Sequence, residues 1–199
     1  NYPWSMGLPP SYHTTGVVYA RYILDEYPDA KIGILFQADD YGQDHLRGFK
    51  EGLGEKVDMI VAEQSADVAA PTVDSQIIGL RAAGVDVLVI FAANKAVAQA
   101  IRKAGELDWK PTRILSYTST SVSAVLKPAG LEHSQGVIAA AYLKDPNDPQ
   151  WKNDEGMNRW RDFMDEYYPS GDQSDANNVY GYNAAQIMEQ VLRKAGNDL

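Results

Sequence analysis

The feature that most constrains this chain is a rhythm. Short, almost continuously apolar runs recur, and an amphipathic stretch follows nearly every one. "KIGILFQ" (31–37), "DMIVAEQS" (58–65), "DVLVIFA" (86–92), "TRILSY" (112–117) and "GVIAAAYL" (136–143) have the length of strands. Apolar runs of that kind fit strands covered on both faces, as in a parallel sheet. Between them, Leu46, Phe49 and Leu53 over 42–54 and Ile77, Ile78 and Leu80 over 71–84 keep helical spacing. A further helix is expected over 94–107 and a short one over 122–126. Strand–helix alternation with short joints predicts an α/β fold, a doubly wound parallel sheet with right-handed crossovers.

Local signals mark the element ends. Thr14 or Thr15 is expected to cap a first helix that carries Val17, Val18, Ala20, Tyr22, Ile23 and Leu24 and stops at Pro28. Pro71 is expected in the first turn of its helix, where its missing N–H costs nothing. The glycines of "EGLGEK" follow a helix, not a strand, and read as a helix C-cap. After Lys144 the rhythm changes. "KDPNDPQWKNDEG" is a polar, Pro-bearing linker, and two helices are expected around 153–168 and 177–195 with no strand between them. Trp160, Phe163, Met164, Tyr167, Ile187, Met188, Val191 and Leu192 give these helices apolar faces that need a surface to pack on.

Charge and composition exclude several function classes. The formal net charge is −9 and no basic run is present, whereas nucleic-acid phosphates need clustered Lys and Arg. Nucleic acid is therefore not an expected partner, and anionic membrane surfaces are disfavoured on the same ground. No apolar stretch reaches the roughly 18 residues of a membrane span. Cysteine is absent, which removes disulfides, thiolate metal sites and a Cys nucleophile. Position 1 is Asn and "NYPWSMGLPPSYHT" shows no signal segment, so the chain reads as a piece of a longer protein.

In a doubly wound sheet, ligands bind beyond the carboxyl ends of the strands. Those ends are Gln37–Tyr41, Ser65–Asp67, Ala92–Asn94 and Tyr117–Thr120. They offer amides, hydroxyls, an aromatic ring and helix N-termini, but no nucleophile–base pair. Asp39 and Asp40 look like paired catalytic acids, yet adjacent acids before a helix more often cap it. Tyr41 is either a packed loop aromatic or a pocket-lining ring and hydroxyl. Asn94 either caps the helix it precedes or faces a ligand. "SYTSTSVS" (116–123) either caps the next helix with its hydroxyls or holds a carboxylate together with free backbone N–H groups. A phospho-acceptor receiver needs an Asp at the end of the third strand, and that end reads "IFAAN". His13, His45 and His133 show no metal-ligand spacing and read as surface histidines, so no metal is expected. GxGxxG, GxxxxGK[ST] and GxSxG are missing, and no cofactor is expected.

"KIGILFQADDYGQDHLRGFKEGLGEK" places a D-x-Y-G-like turn between a strand and a helix bearing G-F-x-x-G-L. With "QSADVAAPTVDSQIIGLRAAGVDVLVIFAANKAVAQAIRKAGELDWKPTRILSYT" and "YGYNAAQIMEQVLRKAG", it resembles the leucine/isoleucine/valine-type periplasmic binding proteins, the type I solute receptors of ABC importers. The resemblance covers almost the whole chain and rests on the order and spacing of its motifs. It implies two lobes joined by crossovers: residues 1–12 a crossover, 13–137 a Rossmann-like ligand-binding lobe, 138–149 a second crossover, and 150–199 helices of the first lobe, otherwise absent.

The resemblance also implies a function. The protein would be a non-enzymatic, periplasmic or extracytoplasmic receptor that holds a small carboxylate-containing solute in an interlobe cleft and delivers it to a membrane permease. By the same likeness Tyr41, Ala93, Asn94, Thr118 and either Val179 or Tyr180 face the ligand, with Tyr117 or Ser119 in place of Thr118 if the register shifts by one or two residues. Amino-acid binders of the family tend to carry an acid where Thr118 stands. Its absence turns the expectation from an α-amino acid toward an aromatic or aliphatic acid. The rival readings are a ligand-sensing regulatory module of the same fold and an α/β enzyme. The apolar faces of 150–199 predict a dimer or a swapped assembly.

Overall fold

The computed structural model describes residues 7–196, so the first half of the expected 1–12 crossover lies outside the described residues. Pro9–Ala140 form one compact unit, and the remaining described residues form a second.

The first unit is a five-stranded, all-parallel sheet in the order β2-β1-β3-β4-β5. Its strands are β1 (Ile32–Gln37), β2 (Ile60–Ala66), β3 (Val87–Phe91), β4 (Thr112–Leu115) and β5 (Val137–Ala139). The helices are α1 (Tyr12–Glu26), α2 (Asp40–Leu53), α3 (Asp74–Ala82) and α4 (Asn94–Glu106). A π-turn over Val122–Leu126 runs into a single helical turn, α5 (Lys127–Ala129). The expected doubly wound parallel sheet is what the chain forms.

Alternation along each strand decides which core its side chains join. Ile32, Ile34, Phe36, Val87, Val89 and Phe91 pack under α1 and α2, against Tyr19, Ile23, Leu46, Phe49 and Leu53. Leu35, Leu88, Ile90 and Leu115 face the other way, against Ile77, Leu80, Val97 and Ile101 of α3 and α4. Both faces are covered, which explains why β1 and β3 read as unbroken apolar runs. Helices α1 and α2 approach closely because glycines meet there. A Cβ at Gly48 would lie 2.0 Å from the His13 carbonyl oxygen, and one at Gly16 would lie 2.3 Å from that of His45.

Several element ends differ from expectation. Ser11, not Thr14 or Thr15, caps α1 by accepting a hydrogen bond from the Thr14 N–H at 3.1 Å. Helix α1 therefore starts at Tyr12, the last residue of the expected 1–12 crossover. Helix α3 begins at Asp74, three residues after Pro71, whose carbonyl instead accepts from the Gln99 amide of α4 at 2.7 Å. Asn94 is the first residue of α4 and not its cap; Ala93 holds the cap position, and its methyl group cannot accept a hydrogen bond. Gly54 ends α2 with φ +54°, as a C-cap glycine should.

The second unit contains α6 (Glu155–Tyr167) and α7 (Ala176–Ala195). Asp154 caps α6 by accepting from the Met157 N–H at 2.9 Å and takes an ion pair from Lys144 at 2.6 Å. Met157, Trp160, Met164 and Val179 form its buried core. Phe163, Tyr167, Met188, Val191 and Leu192 stay exposed. No helix among the described residues is long and apolar enough to cross a membrane.

Candidate functional site

The sheet order changes direction between β1 and β3. The chain adds β2 on one side of β1 and then β3, β4 and β5 on the other. At such a switch point the loops leaving two strands diverge and open a crevice at their carboxyl ends. The segments leaving β1, β3 and β4 meet there, and five of the six expected site residues lie on them.

The first layer is a network that shapes the loops. The Gln37 amide oxygen accepts from the Ala93 N–H at 3.0 Å, tying the end of β1 to the start of α4. Its NH2 donates to the Asp39 carboxylate at 2.5 Å, and that carboxylate accepts from the Gly42 N–H at 3.1 Å. Asp39 is thus the α2 cap, and Asp40 is exposed in the first turn. Neither acid pairs with the other or with a base. Ser119 is buried and donates to the Ala92 carbonyl at 2.9 Å, bracing the β4 segment against the end of β3.

The second layer is a hydroxyl cluster on an aromatic stack. Tyr41 Oη and Thr118 Oγ1 are 2.8 Å apart, and Thr118 Oγ1 is 3.1 Å from Ser116 Oγ. Ser116 Oγ in turn lies 3.3 Å from Nε2 of His45. The other ring nitrogen of His45, Nδ1, donates to the Tyr41 carbonyl at 3.1 Å. The imidazole stacks on Phe91 at 4.6 Å on one side and on Tyr12 at 4.9 Å on the other. Tyr12 also meets the Tyr41 ring edge-on at 4.7 Å. Ser116 and His45 are fully buried, whereas Thr118 is exposed and Tyr41 half-buried.

Burial sets the protonation states. It pushes the His45 imidazole down to about 4, so the ring is neutral near pH 7. Burial also raises the Tyr41 phenol above its ordinary range, although hydrogen bonds with Ser116 and Thr118 pull the other way. The cluster is uncharged and holds polar groups at fixed directions. Such an arrangement can orient a ligand; its serine–histidine contact, Ser116 to His45, is fully buried, and the imidazole held near 4 is a weak base.

The reading of His45 as a surface histidine is corrected: it is 0% exposed and sits at the centre of the cluster. His13 and His133 are only half-buried. Its place was visible in the helical period, since Gly42, His45, Leu46, Phe49 and Leu53 form the inward face of α2. Tyr12 was missed because it falls in a segment read as linker. The "SYTSTSVS" hydroxyls divide their work. Ser116 and Ser121 accept backbone N–H groups of the turns they precede, and Thr118 is left on the surface. Ala93 and Asn94 are exposed at the end of β3. Tyr180 lies on α7 in the second unit, with 39% of its surface exposed. Among the described residues no three or more His, Asp or Glu are placed to hold a metal ion.

A surface hollow of about 370 Å³ lies at the opposite, amino end of β1 and β2, lined by residues including Pro28, Lys31, Glu55, Lys56 and Asp58. Its walls mix exposed charges of both signs, and the switch-point cluster, with its convergent uncharged donors and acceptors, is the better candidate.

Comparison with known proteins agrees with the geometry. The chain is 24% identical over 185 residues to "Leu/Ile/Val-binding protein homolog 1" of Brucella suis, covering 92% of this chain and 46% of that protein. The crystal structure of a substrate-binding periplasmic protein from Ralstonia solanacearum superposes with a TM-score of 0.80 at 21% identity, over 96% of this chain and 53% of that one. A branched-chain amino acid ABC transporter protein from Thermus thermophilus, solved with bound valine, superposes with a TM-score of 0.77 at 19% identity, over 92% and 47%. The chain therefore spans about half the length of the relatives it matches. The family model described as "Periplasmic binding protein" matches residues 1–199, and the chain belongs to that family.

Proposed function

We propose that this chain is the solute-binding part of an extracytoplasmic receptor serving an ABC importer, and that it is not an enzyme. The observation that carries the reading is the uncharged cluster at the β1/β3 switch point: the Tyr41 and Thr118 hydroxyls converge there, and the serine–histidine contact beneath them, Ser116 to His45 at 3.3 Å, is fully buried. A binder needs complementary groups in fixed directions and no proton-transfer pair open to the ligand. The names of the relatives, Leu/Ile/Val-binding and substrate-binding proteins, support it.

Tyr41 and Thr118 are the principal contacts in this reading. Ala93 and Asn94 flank them at the end of β3, Ser119 braces them from behind, and Tyr180 is a candidate contact by resemblance alone. The solute is a small carboxylate-containing molecule. No acid stands at Thr118, so nothing there balances an ammonium, which favours an aromatic or aliphatic acid over an α-amino acid. Residues 13–137 form the ligand-binding lobe, 138–149 a crossover, and 150–199 belong to the other lobe. Closure of the lobes would present the loaded receptor to a permease.

The test is a thermal-shift screen of the full-length protein against amino acids, aromatic acids and short aliphatic acids. A ligand that binds only the folded state raises the midpoint with concentration. Stabilisation by acids lacking an amine supports the reading. Stabilisation by leucine, isoleucine or valine alone overturns the choice of solute, and chemical turnover of a bound acid overturns the choice of function.

A further inference from the structure

The cluster has a direction, which follows from what each atom can donate. A carbonyl oxygen only accepts, so His45 must carry its proton on Nδ1 to meet the Tyr41 carbonyl. Nε2 is then a bare acceptor, and Ser116 must donate to it. With its proton committed, Ser116 can meet the Thr118 hydroxyl only by accepting from it. Thr118, its proton spent on Ser116, can meet Tyr41 only by accepting the phenol proton. This is the one assignment that gives every contact a proton. The chain of donors runs from Tyr41 through Thr118 and Ser116 to His45 and closes back on the Tyr41 carbonyl.

We propose that His45, acting through Ser116, is a positioning residue that turns the free lone pairs of Tyr41 Oη and Thr118 Oγ1 toward the solute, so that the solute group they meet is a neutral hydrogen-bond donor such as a hydroxyl. An ammonium would find no carboxylate among these hydroxyls: Asp39, two residues before Tyr41, turns its oxygens to the Gly42 N–H and the Gln37 amide and reaches Tyr41 only through its field. A carbonyl or carboxylate oxygen would meet lone pairs with lone pairs. The proposal rests on the reading that this end of the sheet binds solute, and it narrows the acid to one bearing a hydroxyl near its carboxylate. The stack of Tyr12, His45 and Phe91 keeps the imidazole from turning over and reversing the relay.

Two measurements test it separately from that reading. The first needs no ligand: nitrogen-15 spectra of the histidine rings in the 199-residue chain. His45 is expected to show a protonated Nδ1 and an unprotonated Nε2, with the Nε2 signal moving further toward that of a free imine nitrogen in Ser116→Ala. A protonated Nε2, or a ring blind to Ser116→Ala, overturns the relay. The second compares 2-hydroxy-4-methylpentanoate with 4-methyl-2-oxopentanoate on the full-length protein by calorimetry. The two differ only in offering a hydroxyl or a carbonyl at one carbon. The hydroxy acid is expected to bind about tenfold more tightly, the size of one good hydrogen bond, and Thr118→Val to erase the difference. Equal or reversed affinities overturn the proposal. If neither acid binds, the solute class proposed above is wrong, and the ring spectra decide the relay by themselves.

Discussion

Tyr41 Oη and Thr118 Oγ1 lie 2.8 Å apart although 77 positions separate them in the chain. The sheet order brings them together: Tyr41 follows β1, Thr118 follows β4, and only β3 stands between those strands. Neither side chain is needed for the core, since Thr118 is exposed and Tyr41 half-buried. Replacing them with Val and Phe keeps the shape and removes the hydroxyls. The fold is expected to change by less than about 1 kcal/mol in denaturant titrations of either variant. A loss of several kcal/mol would make the pair a structural clasp instead of a ligand-facing one.

The acids beside Tyr41 should behave unequally. Asp39→Ala removes the α2 cap and the Gln37 partner, and about 1 kcal/mol of stability should go with it. Asp40→Ala should stay within about 0.5 kcal/mol, because the side chain is exposed. Equal effects in urea titrations would contradict the assignment of Asp39 as the cap.

His45 makes stability depend on pH. Its folded pKa of about 4 lies below the ordinary 6.5, so folding favours the neutral ring. At pH above 6.5 both states are neutral at this site and pH costs nothing. As pH falls from 6.5 toward 4 the unfolded chain takes up a proton that the folded ring refuses, and stability drops; the full gap is worth about 3 kcal/mol. In His45→Gln this contribution is gone. The difference in midpoint between wild type and variant should therefore shrink on acidification from pH 7 to pH 4, and parallel curves would count against a buried neutral ring.

Gly48→Ala tests the α1–α2 contact. Alanine has the better helix propensity by about 1 kcal/mol, yet its Cβ would lie 2.0 Å from a backbone oxygen that cannot rotate away. Packing should win, with a net loss of about 3 kcal/mol. A neutral or stabilising outcome would mean the helices can separate freely.

The exposed apolar side chains of α7, among them Met188, Val191 and Leu192, bear on assembly. The 199-residue chain is expected to self-associate in light scattering at high micromolar concentration. Met188→Glu should reduce that association, and a monodisperse monomer of the unmodified chain would remove the expectation.

Much of this was legible in the chain because period and pairing coincide. β1 and β3 alternate between two helix layers, and that double burial writes itself as "IGILF" and "VLVIF". Tyr41 and Thr118 were legible as strand-end residues. His45 was not, although the α2 period placed it inward, because a polar ring on an apolar face is visible as a partner only once Ser116 is beside it. Ser116 comes from β4, and nothing local announces that pairing. Tyr12 was lost to a misplaced helix start: Ser11 caps as well as Thr14 would, and Pro9 and Pro10 made the region look like a linker.

The most direct test of the central claim is a calorimetric titration of the full-length protein and its Tyr41→Phe/Thr118→Val variant with whichever acid stabilises it best. The variant is expected to bind at least about tenfold more weakly while its unfolding midpoint without ligand stays close to that of the wild type. Unchanged affinity in a folded variant would contradict it, because the solute would then be held somewhere other than the carboxyl ends of β1 and β4.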